Sequence, residues 1–135
     1  MALETDLDRI EPYPFDFYDR EGNIISLRSF AHLHKDPAYV FVAKTHLGRG
    51  HEVMISTVWL GSNHAFAPDR LPLIFETMVF GWADEHDDIC ERYATEAQAH
   101  AGHLAVLRSM LRRHPLRYRF RWHDAMDEAL KAGAA

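Results

Sequence analysis

From Tyr39 to Leu60 the chain alternates. Tyr39, Phe41, Ala43, Thr45 and Leu47, then Val53, Ile55, Thr57 and Trp59, fall on every second position of two runs joined by Gly48-Arg49-Gly50. A period of two is the signature of strands with one buried face. A three-residue loop with glycine in the left-handed position closes such a pair as a hairpin and sets Leu47 opposite His51. The nine residues named then share one face, the predicted core face. Val40, Val42, Lys44 and His46 share the other with Glu52, Met54, Ser56, Val58 and Leu60. A one-residue slip would mix the two sets, so the pattern selects the register. His46 opposite Glu52 is then an exposed pair worth little, and His46 and His51 fall on opposite faces.

The same reading divides the rest of the chain. Residues 1–14 form a proline-punctuated arm, with Pro12 and Pro14 around Tyr13. Phe15, Phe17 and Tyr18 predict a short extended piece before a turn at Asp19-Arg20-Glu21-Gly22-Asn23. Ser26 caps a short helix through about Lys35, which Asp36-Pro37 ends. Gly61 to Pro72 is a long connection. Leu73 to Phe80 is a third strand, apolar on both faces except at Glu76 and Thr77, as a central strand is. Ile89 to Ala94 is a short fourth strand. Thr95-Glu96-Ala97-Gln98 reads as a capping box opening a helix to about Arg113, ended by Pro115. Its predicted apolar stripe is Ala97, His100, Leu104, Leu107 and Leu111, flanked by His103 and Met110. Leu116, Tyr118, Phe120 and Trp122 alternate with arginines and read as a strand, although the register also suits a longer helix. A final helix is expected from Trp122 through Leu130 to Gly133. The resulting fold class is α+β. A mainly antiparallel sheet of three to five strands is covered by one long helix (about 95–113), with short helices besides. Residues 1–135 make a single domain, with 114–135 as a C-terminal extension.

Composition narrows the class. At 135 residues the chain is one domain long, and 47% hydrophobic with 26% charged residues is the balance of an ordinary globule. No apolar run approaches the roughly 18 residues of a membrane span. The acidic start, Met1 to Glu11, predicts neither a secretory signal nor a transit peptide. The single cysteine, Cys90, cannot form an internal disulfide, and a reducing cytoplasm is expected. A formal charge of -5 argues against a general nucleic-acid coat. The ten histidines would carry that charge to +5 if all were protonated, so poor solubility is expected near pH 6.

Several segments carry a resemblance. They are Tyr18-Asp19-Arg20-Glu21-Gly22-Asn23, Ser56-Thr57-Val58-Trp59-Leu60-Gly61, Asn63-His64-x-Phe66, Pro72-Leu73-Ile74-Phe75-Glu76-Thr77-Met78-Val79-Phe80, Arg92-Tyr93-Ala94-Thr95-Glu96 and Ala101-Gly102-His103. Their order and spacing over roughly residues 17 to 105 resemble a family of small proteins encoded by tailed phages and prophages of actinobacteria. The resemblance implies a phage-encoded accessory protein working in the host cytoplasm, and implies no reaction. The acidic run Asp84 to Glu91 and the arginine-rich tail after Arg112 depart from that pattern.

Candidate chemistry is sparse. Glu76 sits in the third strand among Ile74, Met78 and Phe80, where a carboxylate is costly without a partner. It reads as a ligand anchor with a raised pKa or as a structural acid bonded to histidine, arginine or backbone amides. With His64, His103 and Trp59 it forms one candidate ligand-binding set: Trp59, His64, Glu76, His103. His100 and His103 can share a helix face, with Cys90, Asp87 or Glu76 to complete a metal set, yet no metal-ligand motif is present and no metal or other cofactor is expected. Cys90 lies among acids that raise its pKa, and no nucleophile elbow or P-loop appears, so no catalytic residue is assigned. Arg112, Arg117, Arg119 and Arg121 interleave with Tyr118, Phe120 and Trp122. That pattern suits an acidic protein surface, nucleic acid less so, or a plain solvated face. The expected function is binding of a host protein or of further copies of this chain, without catalysis. The alternatives are a small-ligand binding or sequestering protein, then a small metal-dependent hydrolase or a virion component.

Overall fold

A computed structural model of the chain describes residues 16–65, 71–81 and 89–124. The fold is α+β, as the hydrophobic pattern predicts. Strands β1 (Phe17–Tyr18) and β2 (Ile24–Ile25) form a small hairpin across the Asp19–Asn23 turn. Helix α1 (Leu27–His34) follows, its first turn capped where Ser29 N–H donates to Ser26 Oγ. A single helical turn, α2 (Pro37–Val40), leads into β3 (Phe41–Leu47) and β4 (Val53–Trp59). Then come β5 (Phe75–Gly81), β6 (Cys90–Tyr93), the long helix α3 (Glu96–Arg113), a 3-10 turn (Arg117–Arg119) and β7 (Arg121–Asp124). The main sheet has five antiparallel strands in the order β6-β5-β4-β3-β7.

Helix α3 starts where the sequence says it should. Gln98 N–H donates to Thr95 Oγ1, and the Gln98 side chain accepts from the Thr95 backbone, a complete capping box. Its buried line, however, is Ala99, His103, Leu107 and Met110. That is a small rotation from the predicted stripe, and it places a histidine at the centre of the core.

The hairpin keeps its predicted faces and changes its register. Leu47 pairs with Val53 instead of His51, so the turn spans five residues, 48–52. The shift is even, and an even shift leaves every side chain on its own face. Ala43, Thr45, Leu47, Val53, Ile55 and Thr57 are all buried beneath α3. A bulge between Phe41 and Ala43 breaks the pattern lower down. It turns Val42 into the core beside Trp59, and Phe41 goes to the other face with Lys44 stacked 3.8 Å over its ring. Tyr39, expected in the strand, lies in α2.

Two further expectations fail. Leu116 to Phe120 is neither a strand nor an extension of α3, and only Arg121 and Trp122 of the expected strand are paired. Leu116 is 80% exposed, Tyr118 is buried in a 3-10 turn, and pairing with β3 starts only at Arg121. Trp122, His123 and Asp124 lie in β7 and not in a helix; residues 125–133 of that predicted helix and the arm 1–14 lie outside the described residues.

One core cluster joins β3, β4 and β5 to α3, around Leu47, Ile55, Val79, Leu107, Met110 and Tyr118. A second gathers Val42, Trp59, Ile74, Phe75 and Ala99 with side chains of the β1–β2 hairpin, α1 and α2. The far face of the sheet carries Lys44, His46, Met54, Val58, Glu76, Met78, Phe80 and Trp122. Among the described residues no helix is long and apolar enough to cross a membrane.

Candidate functional site

Strand alternation separates the four residues of the candidate ligand set. Thr57 and Thr77 face α3, so Val58 and Glu76, one residue away, face the opposite side of the sheet. Glu76 and His103 therefore lie on opposite faces. Trp59 is a core residue with no exposed surface, packed against Phe30, His34 and Tyr39, and its Nε1–H donates to Tyr18 O at 2.9 Å. His64 is half-buried in the connection after β4, with Nε2 3.2 Å from Ser62 Oγ. A cleft of about 500 Å³ opens beside Tyr18, Arg20, Glu21, Ile74, Thr95 and Glu96, and none of the four residues lines it. Arg20 there is already bound, to the Glu96 carboxylate and to Tyr39 O.

Glu76 has the arginine partner that its burial demands. Arg92 lies opposite it on β6, and Arg92 Nε donates to Glu76 Oε2 at 3.0 Å. Neither His64 nor His103 is its partner. Cys90 Sγ lies 3.5 Å from the same carboxylate. Burial first, then the Glu76 charge, pushes the Cys90 thiol up. Among the described residues no three histidines, cysteines or carboxylates converge as a metal set.

His103 is fully buried, and its neighbours explain why the core tolerates it. Nε2 lies 2.8 Å from Thr45 Oγ1 and Nδ1 lies 2.7 Å from Thr57 Oγ1. Thr57 in turn shares a 2.6 Å hydrogen bond with Thr77, and Thr45 a 3.0 Å one with His123 Nδ1. A neutral imidazole with one donor and one acceptor fits between two hydroxyls. The string runs across β5, β4, α3, β3 and β7 and ties the helix to the sheet. Burial, aided by the nearby His123 and His100, holds the His103 imidazole down to about 4. It is a structural bond, closed to solvent.

The arginines are placed quite differently. Strand direction brings the C-terminal end of α3, the 3-10 turn, the start of β7 and the β3–β4 turn to one end of the sheet. Arg112, Arg117 and Arg119 are exposed there and Arg121 is half-buried. Arg49, on the β3–β4 turn, joins them. Its guanidinium lies 4.7 Å from the Phe120 ring and that of Arg119 4.9 Å from the same ring. Among the described residues no carboxylate holds Arg49, Arg112, Arg119 or Arg121. In the same segment Leu116 is exposed, and Trp122 is 44% exposed with the His51 ring tilted against it at 4.2 Å. His51 takes a left-handed conformation (φ 57°) in the widened turn. That swings its ring to 5.2 Å from His46, so the two share a side, contrary to expectation, and His46 pairs with Asp124 at 3.3 Å instead of Glu52. Gly81 and Ile89, which flank the acid-rich run 82–88, stand at this same end.

The sequence pattern singles out Arg112, Arg117, Arg119 and Arg121 and passes over Arg49 and His51, which the fold brings to the same end. Their signal was present. A basic residue and a histidine at a hairpin tip lie next to whatever strand pairs with that hairpin. No protein-family model, curated protein or solved structure matches the chain.

Proposed function

We propose that this chain is a non-catalytic binding protein, a small phage-encoded accessory factor, whose arginine–aromatic end recognises an acidic protein surface in the host cytoplasm. The observation that carries the reading is that Arg49 and Arg119 both lie over the Phe120 ring, in a segment whose Leu116 and Trp122 are exposed. Arginine and large aromatics are the residues that dominate protein interfaces. A guanidinium stacked on a ring is already ordered, so less side-chain entropy is lost on binding. On a chain of net charge -5, a cluster of cations at one end steers the approach of an acidic partner.

The placement of two reactive groups supports a reading without catalysis. The imidazole best held by its neighbours is sealed in the core. Burial, then the neighbouring Glu76 carboxylate, raises the pKa of the Cys90 thiol. The partner is a host protein or a second copy offering its own Asp84–Glu91 run.

Affinity capture from host lysate tests the reading, with wild type compared with the double variant Arg49→Glu and Arg119→Glu. The expected result is loss of a captured protein with an acidic surface, or loss of concentration-dependent self-association in sedimentation. An unchanged set of partners together with unchanged sedimentation contradicts it.

A further inference from the structure

The polar string through the core has a direction, and the direction follows from counting protons. Thr45 Oγ1 lies between two ring nitrogens, 2.8 Å from His103 Nε2 and 3.0 Å from His123 Nδ1. A hydroxyl has one proton to give, so it donates to one nitrogen and accepts from the other. Thr57 Oγ1 stands in the same way between His103 Nδ1 at 2.7 Å and Thr77 Oγ1 at 2.6 Å. His103 is fully buried, which keeps its ring neutral with one nitrogen protonated and the other bare.

Two arrangements make every one of these bonds. In the first, His103 Nε2–H donates to Thr45 and Thr45 donates to His123 Nδ1, while Thr77 donates to Thr57 and Thr57 to His103 Nδ1. In the second, every donor and acceptor is exchanged. His123 Nδ1–H donates to Thr45, Thr45 to His103 Nε2, His103 Nδ1–H to Thr57, and Thr57 to Thr77. The first puts both rings in the Nε2–H form, the commoner one for a histidine in water. A charged His123 carries protons on both nitrogens and fits only the second.

We infer that His123 and His103 form a tautomer switch: protonation of His123 on β7 reverses the string and moves the proton of the buried His103 ring from Nε2 to Nδ1. The net uptake is one proton, held on His123. His103 stays neutral, losing its Nε2 proton to water and gaining one on Nδ1 from water in transient openings of the core. His123 is the ring placed to take up the proton, half-buried at the end of the string where His103 has no exposed surface. Among the described residues, Arg121 shares its face of β7, and Asp124 on the other face is held by His46. The other ring close to His103 is His100, one turn earlier on α3, with Nε2 3.6 Å from Glu96 Oε2. A charge gained on β7 is thereby registered at the helix that covers the sheet. The switch needs no partner at the arginine–aromatic end.

The test follows the ring nitrogens of the full chain, labelled at histidine with the heavy nitrogen isotope, by NMR between about pH 8 and pH 5, where an imidazole ordinarily titrates. A bare ring nitrogen resonates far from a protonated one, so the tautomer is read directly. His103, held down to about 4, stays neutral throughout. At the high end its Nδ1 is expected bare and its Nε2 protonated. As pH falls the two signals should exchange character, with the same midpoint as the titration of His123. His123→Leu should hold His103 in one form across the range. The inference is overturned if His103 keeps one tautomer while His123 becomes charged, or if His123 does not become charged in this range. Both readings come from wild type and need no variant. A change of form that persists in His123→Leu also overturns it, since His100 would then be the trigger.

Discussion

His103 Nδ1 and Thr57 Oγ1 lie 2.7 Å apart inside the core, and this bond is the middle link of a polar string that fastens α3 to the sheet. Replacing the imidazole leaves the Thr45 and Thr57 hydroxyls short of a partner and opens a cavity at the same time. His103→Ala should therefore cost about 3 kcal/mol of stability, and Thr57→Val about 1–2 kcal/mol. Urea denaturation measures both. A loss below about 1 kcal/mol for His103→Ala would mean that the string carries little of the fold's stability.

The same imidazole makes stability depend on pH. Its value in the fold is about 4, against an ordinary 6.5. The unfolded chain therefore takes up the proton first as pH falls. The stabilising contribution is whole above the ordinary value and is lost as pH drops toward 4, with a slope of up to about 1.4 kcal/mol per pH unit. Urea midpoints measured from pH 7 to pH 4.5 should fall more steeply for wild type than for His103→Leu. Parallel curves contradict this.

Gly81 closes β5 against the start of β4. Its φ is +115°, and a Cβ there would stand 2.1 Å from the Glu52 carbonyl oxygen. Backbone cannot swing aside as a side-chain tip can. Gly81→Ala should lower stability by about 2 kcal/mol or more, combining left-handed strain with the clash. Thermal unfolding reads the loss.

The Glu76–Arg92 pair lies partly buried on the open face of the sheet, and its carboxylate reaches the Cys90 thiol. Glu76→Gln removes one of the causes that raise the thiol's pKa and should shift it downward. The rate of Cys90 alkylation against pH shows this as a midpoint at lower pH than in wild type. Binding at the arginine–aromatic end should be unaffected.

How much of this was legible in the sequence differs from element to element. Thr95 and Gln98 announced the start of α3 because a capping box is a local device. The faces of β3 and β4 survived an error in their register because the error was even. The sealing of His103 was harder to read. Its signal was Thr45, Thr57 and Thr77, hydroxyls on an otherwise apolar face, which need a polar partner from the layer above. The alternation from Leu116 to Trp122 misled in part, since Arg117–Arg119 form a 3-10 turn with Arg119 over the Phe120 ring, and only Arg121 and Trp122 pair as a strand. Glu76 found its arginine across a strand boundary whose register no local pattern announces.

The central claim is that the end built from Arg49, Arg119, Phe120 and Trp122 meets an acidic protein surface. Leu116, just before the 3-10 turn that carries Arg119, has 80% of its surface exposed, a position that accepts a photo-crosslinking residue without disturbing the core. The most direct measurement places that residue at 116, and in a control at Lys35, and identifies the cross-linked peptides after illumination in host cells. The account predicts that position 116 labels an acid-rich segment of a protein, that Lys35 does not, and that Arg49→Glu with Arg119→Glu abolishes the label. Labelling of nucleic acid, or equal labelling from both positions, would contradict it.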